Sequence, residues 1–262
     1  MKKYWKIYKI FLANSFSIEA QYRKHIVLNL FTNLAYMGLV FLTIHILFQY
    51  ANAIGNWSKG EVFLLSTVWI LVDEIFILFF EPNIRNIPNK VTQGELDLYF
   101  TKPVNSLFLI TAEKIQLNNI YKLIMEFAIL GFILNHFQID LDLIGILLAI
   151  FLIGCSLLIL YSVLLFLNTL SFWFYKIENI NAAWFTFYDF GKYPLNILPK
   201  FMRVLFLTAV PIAYTAYFPT QALLHRLPLE SVFFILGMSI VLFFLSLLFW
   251  KHAVKYYTSA SS

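Results

Sequence analysis

Two adjacent carboxylic acids interrupt one of the most apolar stretches of the sequence. Asp73 and Glu74 lie near the middle of EVFLLSTVWILVDEIFILFF, residues 61–80. A charged side chain at the centre of a membrane-spanning helix costs roughly 2.5 to 3.5 kcal/mol on insertion scales, so ionisable groups at that depth are candidates for a function. They could line a substrate path, relay protons, or pair with a basic residue such as Lys122. We favour a structural ion pair or a protonated, packed carboxyl over direct contact with a substrate.

One alternative is an intramembrane enzyme that acts on lipids or lipid-linked substrates, with Asp73 and Glu74 as acid and base. Paired carboxylates can do such work when their environments separate their pKa values. Adjacent residues of a helix, however, point about 100° apart and cannot easily face one substrate bond together. Another alternative is a proton-coupled secondary transporter, but the sequence shows no clear internal repeat of the kind that many such transporters contain.

Other patterns typical of catalysis or metal binding are missing from the sequence. The histidines do not stand at metal-ligand spacing from another His, Cys or carboxylate on one helix, so we assign no metal site. A G-x-S-x-G motif is absent, and Ser156 has no partnered base nearby in the sequence. Lys122 and Glu126 are four residues apart, which favours a local pair along one helix. The single cysteine, Cys155, lies in an apolar run and is expected to pack there.

The composition indicates an integral membrane protein. The chain has 262 residues, of which 61% are hydrophobic and 13% charged, whereas soluble domains average about a quarter charged residues. A membrane-spanning helix needs roughly 20 apolar residues. Stretches of this kind cover approximately residues 26–50, 61–80, 120–137, 143–170, a segment within 180–219, and 231–250. They do not alternate with period two, so we predict an all-α protein of six transmembrane helices in a single domain, residues 1–262.

The distribution of lysine and arginine predicts that both termini are cytoplasmic. Fourteen of the 19 basic residues fall on one side, mostly in residues 1–25 and 82–122. Lys59 and Arg226 fall on the other side, and basic residues concentrate in cytoplasmic loops. The net charge of +5 is then a topology signal and gives little support to nucleic-acid binding. The N-terminus lacks the pattern of a cleaved signal peptide, so we expect the first span to act as its own insertion signal.

Residues 1–25 have the pattern of an amphipathic helix that lies in the membrane interface. Lysines 2, 6 and 9 fall on one side, and the other side is aromatic and apolar. The apolar side comprises Tyr4, Trp5, Tyr8, Phe11 and Leu12. The simpler interpretation is an anchor, with the aromatic face among the lipids and the lysines near anionic headgroups. The alternative is an elbow helix that frames a lateral groove between subunits.

Residues 180–230 are broken by prolines at positions 194, 199, 211 and 219. Proline kinks or ends helices, and broken helix at membrane depth must be buried in protein or line a cavity. In one placement the fifth span covers residues 201–219 and follows a cytoplasmic amphipathic segment. In the other it covers residues 180–197 and precedes a re-entrant hairpin on the outer side. The basic residues Lys192, Lys200 and Arg203 slightly favour the first placement.

A short polar stretch separates the second and third spans within the predicted cytoplasmic loop, residues 82–119. In VTQGELDLYFTKPVNSLFLI, residues 91–110, Gly94 permits a turn and Pro103 prevents a helix from continuing. Between them Leu96, Tyr99 and Phe100 share one helical face, and Glu95 and Asp97 flank it. This pattern predicts a short amphipathic helix. It could rest on the membrane, or it could dock a soluble cytoplasmic protein.

Four segments resemble bacterial ABC-transporter permeases of the type-2 exporter class. They are GELDLYFTKPVN (94–105), FGKYPLNILP (190–199), VPIAYTAYFPTQALL (210–224) and WKHAVKYYTSASS (250–262). The resemblance covers essentially the whole chain. It implies a six-helix permease subunit with an N-terminal elbow helix and a coupling helix between spans two and three, seated in a groove of a separate ATPase. On that basis the coupling site would comprise Gly94, Glu95, Leu96, Asp97, Tyr99, Lys102 and Pro103.

The resemblance also sets expectations about partners and cofactors. The sequence has no G-x-x-x-x-G-K-[ST] phosphate loop, so we expect no cofactor in this chain, with ATP and Mg bound by a cytoplasmic ABC ATPase dimer. A second permease subunit, identical or paralogous, and membrane lipids would complete the assembly in the bacterial inner membrane. The resemblance favours the re-entrant placement of residues 180–230. An apolar interior suits lipids, drugs, peptides or glycolipids equally, so the substrate stays open, and export rests on the resemblance.

Overall fold

A computed structural model describes residues 2–19, 23–174, 177–208 and 211–257 of the chain. Helices form all the regular elements in these ranges, and the strand-like pairing found there is one isolated bridge between Ile54 and Trp57. The prediction of an all-helical fold is therefore confirmed. In chain order the helices are α1 (Lys2–Glu19), α2 (Arg23–Tyr50), α3 (Lys59–Phe79), α4 (Glu81–Arg85), α5 (Ile87–Thr92), α6 (Asp97–Phe100), α7 (Ser106–Thr111), α8 (Ile120–His136), α9 (Leu143–Thr169), α10 (Glu178–Tyr188), α11 (Lys200–Thr208), α12 (Ala213–Leu223) and α13 (Leu229–Ala253).

Among the described residues, five helical segments are long and apolar enough to cross a membrane. They are Leu28–Tyr50, Lys59–Phe79, Leu117–His136, Leu143–Phe172 and Leu229–Tyr256. Five of the six predicted spans therefore stand at the expected positions, within a few residues. Helices α11 and α12 would supply a sixth span if they are counted together, although their axes differ by 97°.

Helix α3 is the centre of the bundle. In the most apolar 18-residue stretch of α3, 72% of the residues are buried. The corresponding stretches of α2, α8 and α13 are each 17% buried, so those three helices present most of their surface to lipid or to partners. Helix α3 contacts α2, α8, α9 and α12. Its start is fixed by a capping box, in which the Ser58 side chain and backbone bond reciprocally with Glu61.

The two ends of the bundle carry different elements. At one end, which we call the loop end, α1 lies against residues 81–119: the Lys3 ammonium donates a hydrogen bond to the Pro103 carbonyl (2.8 Å), and the Ile115 backbone N–H donates one to the Ser15 hydroxyl (3.0 Å). Within the predicted interfacial segment, residues 1–25, the structure describes α1 over Lys2–Glu19 and the start of α2 at Arg23, and residues 20–22 lie outside the described part of the chain. The interfacial position of α1 stays a prediction.

At the opposite end, which we call the far end, the chain turns at residues 51–58, 137–142 and 224–228. Arg226 pairs there with Glu61 (2.5 Å), and the Lys59 ammonium lies 2.8 Å from His45 Nδ1. Lys59 and Arg226, which the charge count places together on the outer side, therefore occupy one end, and Lys3 and Lys102 occupy the other. Their relative sidedness agrees with the charge count, and the absolute orientation stays a prediction.

Neither predicted placement of the fifth span forms a continuous helix. Helix α10 ends at Tyr188, and 3-10 turns follow at Asp189–Lys192 and Leu195–Ile197. Pro194 stands in extended backbone between the two turns, where it cannot donate a helical hydrogen bond. The described residues of this region therefore form short helices, as the prolines predict, and the placement of the fifth span stays a prediction.

The contacts of residues 178–226 trace their path through the bundle. Near the loop end, Asn181 and Asn168 exchange side-chain hydrogen bonds of 2.9 and 3.3 Å. Asn196 packs against Gly55 at the far end, where a Cβ added to Gly55 would lie 3.1 Å from that of Asn196. Further along, Ile212 packs against Gly191 in the interior, and Arg226 returns to the far end. Residues 178–196 thus run from one end to the other, and among the described residues that follow, Ile212 lies in the interior and Arg226 at the far end.

Candidate functional site

Gly94 forms the turn between α5 and α6. Its φ angle is +73°, a conformation that residues with a Cβ resist. This turn lets the Glu95 N–H donate to the Lys90 carbonyl (3.0 Å) and the Gly94 N–H to the Val91 carbonyl (3.3 Å), which satisfies carbonyls at the end of α5. The predicted role of Gly94 as a turn residue agrees with this geometry.

Helix α6 directs its apolar face into the protein. Leu96, just before the helix, is fully buried, and Tyr99 and Phe100 are half-buried. Leu98 lies on the opposite face and is 65% exposed, beside the exposed Thr101 and Lys102. The short helix predicted before Pro103 is present, and its exposed surface includes Leu98 beside Lys102 of the predicted set.

Sequence reasoning missed Leu98 as a candidate site residue. Two positions along a helix correspond to a rotation of about 200°, so the spacing from both Leu96 and Phe100 places Leu98 opposite the buried face. The sequence therefore contained a usable signal for Leu98. Once Leu96, Tyr99 and Phe100 were assigned to the inward face of the helix, a leucine on the opposite face had to be exposed.

A buried lysine fixes the inward side of α6. Lys90 is 4% exposed, and its ammonium lies 2.8 Å from a Glu113 carboxylate oxygen. The ammonium also donates a hydrogen bond to the Tyr99 hydroxyl, and that hydroxyl donates to the same Glu113 oxygen at 2.9 Å. The Glu95 carboxylate is 3.9 Å from Lys90, and Lys102 lies 5.5 Å from the centroid of the Tyr99 ring. We call Lys90, Tyr99 and Glu113 the polar triangle; it ties α5, α6 and the segment just after α7 together.

The polar triangle also shifts the acid–base behaviour of its members. Burial by itself would lower the pKa of Lys90, but the hydrogen bonds to Glu113 and Tyr99 outweigh it, so the pKa is raised above 10.5. Burial raises the pKa of Tyr99 above 10.0, helped by Glu113 and opposed by Lys90. A group whose pKa is raised on folding contributes stability that is present below its unfolded pKa and is lost as the pH rises through the folded value. Between about pH 6 and 9 these two groups should therefore contribute a constant stabilisation.

Replacing Glu113 with alanine is expected to destabilise the loop end. Lys90 would stay buried with its main charged partner gone, which typically costs about 1 to 3 kcal/mol. Thermal unfolding of the purified protein in mild detergent measures the change. Glu230→Ala is a matched control, because Glu230 is exposed at the start of α13. Lys90→Met combined with Glu113→Ala should recover part of the loss, and equal melting temperatures for Glu113→Ala and Glu230→Ala would contradict the role of the triangle.

The loop also contacts the C-terminal end of α13. The Tyr257 ring meets Phe100 edge-on at 5.6 Å and Phe172, just after α9, at 6.1 Å. The Asp97 side chain faces the Tyr257 hydroxyl; burial and this carboxylate both raise the pKa of Tyr257. Asp97 therefore contacts another part of the same chain. Its predicted place in a coupling site stays a prediction, and the contact with Tyr257 gives it a route to the membrane helices.

Helix α1 covers the other side of the loop. Besides the bond from Lys3 to the Pro103 carbonyl, the Tyr4 ring packs edge-on against Phe108 at 5.0 Å, and the Asn105 backbone N–H donates to the Tyr4 hydroxyl at 3.4 Å. The seven predicted site residues, 94–97, 99, 102 and 103, are thus brought together in one turn-helix-turn unit. This unit is fastened to both terminal helices of the chain.

The carboxylates within the membrane-spanning helices are placed differently. Glu74 is 5% exposed and pairs with the Lys122 ammonium of α8 at 3.0 Å, the ion pair favoured from the sequence. Lys122 was also expected to pair with Glu126 along α8, and that expectation is wrong, because its ammonium reaches across to α3. Glu126 is fully buried, and among the described residues neither of its carboxyl oxygens has a hydrogen-bond partner. The Asn33 side chain of α2 faces this group.

Asp73 points away from Glu74. It is half-buried and faces Tyr188 of α10, whereas Glu74 faces α8. Near it, the buried Lys192 pairs with Asp189 at 2.6 Å and lies 3.3 Å from the Tyr36 hydroxyl. The two adjacent carboxylates therefore contact different helices, and they do not form an acid–base pair around one substrate bond. Ser156 donates to the carbonyls of Leu152 and Tyr214, so it joins α9 to α12.

The sequence matches a model of a known protein family. The family model described as ABC-2 family transporter protein matches residues 34–261. The matched region includes the loop, the polar triangle and the carboxylates of α3, and it begins after α1. No curated protein matches the chain.

Proposed function

Because the chain belongs to the ABC-2 family of transporter proteins, we propose that this membrane permease is the transmembrane half of an ATP-driven exporter. Residues 94–103 would couple it to a separate ATPase subunit. The chain itself would form the substrate pathway and would not hydrolyse ATP. The family match supports the transport role, and the geometry of the loop supports the coupling site.

The observation that carries the coupling proposal is the exposed Leu98 on a rigid turn. Interface anchors are apolar or aromatic side chains that a partner can bury fully, surrounded by a polar rim. Leu98 is 65% exposed, and the exposed Thr101 and Lys102 stand beside it. The polar triangle holds the turn from within, so a partner would meet a preorganised surface, which lowers the cost of binding.

The same turn is connected to the membrane helices. On one side Phe100 and Asp97 contact Tyr257, which follows α13; on the other Pro103 is bonded to Lys3 of α1. A displacement of Leu98 would therefore be transmitted to α13 and α1 through packed side chains. On this basis Leu98 is the residue that docks the ATPase. The seven residues predicted from the sequence would hold the turn in place and transmit its displacement to the membrane helices: Gly94, Glu95, Leu96, Asp97, Tyr99, Lys102 and Pro103.

Energy would come from the partner. The chain has no phosphate loop, so ATP and Mg would be held by a cytoplasmic ABC ATPase dimer, together with a second permease subunit, identical or paralogous. The lysines of α1 and the loop lie at one end of the bundle, which supports cytoplasmic termini in a bacterial inner membrane.

The contacts of residues 196–226 bear on the placement of the fifth span. They support the placement in which a re-entrant hairpin enters the membrane from the outer side and returns to that side.

The carboxylates have separate roles in this proposal. Glu74 is a structural partner of Lys122, and the half-buried Asp73 is the candidate for the substrate pathway. The alternative of an intramembrane enzyme is not favoured, because Asp73 and Glu74 face different helices.

Photo-crosslinking from position 98 tests the proposal. The chain is produced in its native host with the photoreactive residue benzoylphenylalanine in place of Leu98, irradiated in intact membranes, and the attached protein is identified by mass spectrometry. We expect a soluble ATPase with a phosphate loop. Position 229 is a matched control, because Leu229 is 66% exposed but lies at the far end. Crosslinks from position 98 to lipid alone, or the same partner from both positions, would contradict the coupling site.

A further inference from the structure

A large apolar cavity lies at the loop end, underneath α1. Its volume is about 760 Å³, within the range of about 300 to 1,000 Å³ usual for small-molecule sites. Helices α1, α7, α9 and α13 and the end of α3 form its walls. Tyr8 of α1, Phe108 of α7, Gly154 of α9 and Leu247 of α13 each line one side.

Gly154 creates part of this space. Gly154 is an exposed residue on the wall of the cavity, in the middle of a membrane-spanning helix, and a Cβ added to it would meet no atom within 4 Å. Atoms that line an empty space lose their dispersion contacts. A cavity of this size beside the bilayer is therefore expected to be filled by hydrocarbon. Tyr161, which lies 3.4 Å from the Thr111 hydroxyl, is among the few polar groups on its wall.

The charges next to the cavity indicate which headgroup would accompany the hydrocarbon. An adjoining cleft of about 880 Å³ shares Tyr4 and Tyr8 with the cavity and includes Lys2. A second cleft, of about 320 Å³, shares Leu247 and includes Lys251. Both lysines are exposed. Basic residues close to a membrane surface attract anionic lipids.

We propose that this cavity binds a phospholipid with an anionic headgroup. An acyl chain fills the space beside Gly154, and the phosphate lies at the edge near Lys2 or Lys251. Lipid tails are as apolar as the leucines around them, so burial of the chain alone gives little preference over the bulk membrane. The preference for an anionic headgroup comes from the positive charges of Lys2 and Lys251. The bound lipid supports the contact between α1 and the loop.

Lipid retention measured by native mass spectrometry tests this site. The full chain is reconstituted in vesicles of phosphatidylcholine and phosphatidylglycerol in equal parts, extracted in mild detergent, and the retained lipids are counted. Gly154→Phe places a ring in the cavity. Gly131→Phe is the matched control, because a Cβ added to Gly131 of α8 also meets no atom within 4 Å and Gly131 does not line the cavity. Lys2→Glu with Lys251→Glu leaves the cavity intact and reverses the charges.

We expect the wild type and Gly131→Phe to retain phosphatidylglycerol and Gly154→Phe to retain at least tenfold less. The double lysine variant should retain lipid but lose the preference for phosphatidylglycerol over phosphatidylcholine. Equal retention by Gly154→Phe and Gly131→Phe would overturn the proposal, as would an unchanged headgroup preference in the lysine variant. Loss of a second copy of the chain, rather than lipid, from Gly154→Phe would assign the cavity to an interface between subunits. If Gly154→Phe does not fold, the lysine variant alone decides.

Discussion

Replacing Leu98 with glutamate is expected to abolish ATP-driven transport while the protein still folds and inserts. Truncating an anchor residue of an interface typically costs at least about 2 kcal/mol, which corresponds to roughly 30-fold weaker association. A carboxylate in the same pocket adds the cost of burying an unpaired charge. We therefore expect the ATPase to dissociate during gentle purification of Leu98→Glu. The measurements are the amount of co-purified ATPase and the ATP hydrolysis of the complex.

Leu229→Glu is the control for this variant. Leu229 is 66% exposed, against 65% for Leu98, and it begins α13 beside Glu230 at the far end. A carboxylate is well tolerated at a helix N-terminus. Both variants should melt like the wild type, because neither side chain is buried in the described structure. Full ATPase retention by Leu98→Glu would show that docking lies elsewhere on the loop end.

Replacing Lys122 with methionine is expected to destabilise the membrane bundle most among single changes of charge. Glu74 would keep its position, 5% exposed, without its cationic partner. Removing one member of a buried ion pair costs about 3 to 5 kcal/mol, because the other charge is left uncompensated. Glu126, also fully buried on α8, adds a second carboxyl to the same region. Thermal unfolding in detergent and the yield of folded protein measure the effect.

The double variant Lys122→Met, Glu74→Gln separates the pair from its surroundings. If the loss arises from the unpaired Glu74 charge, the second change should restore most of the stability. Lys114→Met is the matched control, because the Lys114 side chain is exposed eight positions earlier in the chain. A double variant as unstable as Lys122→Met would instead indicate that the lysine stem, and not its charge, matters for packing.

Features set by local sequence could be predicted. The long helices follow from uninterrupted apolar runs, and the inward face of α6 follows from helical spacing between Gly94 and Pro103. The breaks in residues 180–230 follow from the prolines. Each of these rests on a property of neighbouring residues, so a single sequence contains the information.

Most features set by contacts between distant segments could not be predicted; the pair of Glu74 with Lys122 is an exception, because a carboxylate within a membrane-spanning helix calls for a basic partner. Lys90 and Glu113 are 23 positions apart across several turns, and no periodic pattern connects them. The spacing of Lys122 and Glu126 favoured a local pair, but the reach of Lys122 to α3, 48 positions earlier, decided the outcome. The prolines predicted a broken region and left two placements of the fifth span open, but the contacts of Asn196 with Gly55 and of Gly191 with Trp69 could not be predicted from one sequence.

The contacts that hold α1 against the loop have a consequence for biosynthesis. Its contacts join Lys3 to Pro103 and Ser15 to Ile115, each across 100 positions of sequence. Ribosomes add roughly 5 to 20 residues per second, so these partners emerge about 5 to 20 s after α1 itself. If α1 lies in the membrane interface, as its sequence predicts, the bilayer surface would cover the exposed Trp5 and Phe16 during that interval. The nascent N-terminal helix would then adsorb to the membrane first, and the later loop would be assembled onto a helix that already lies there.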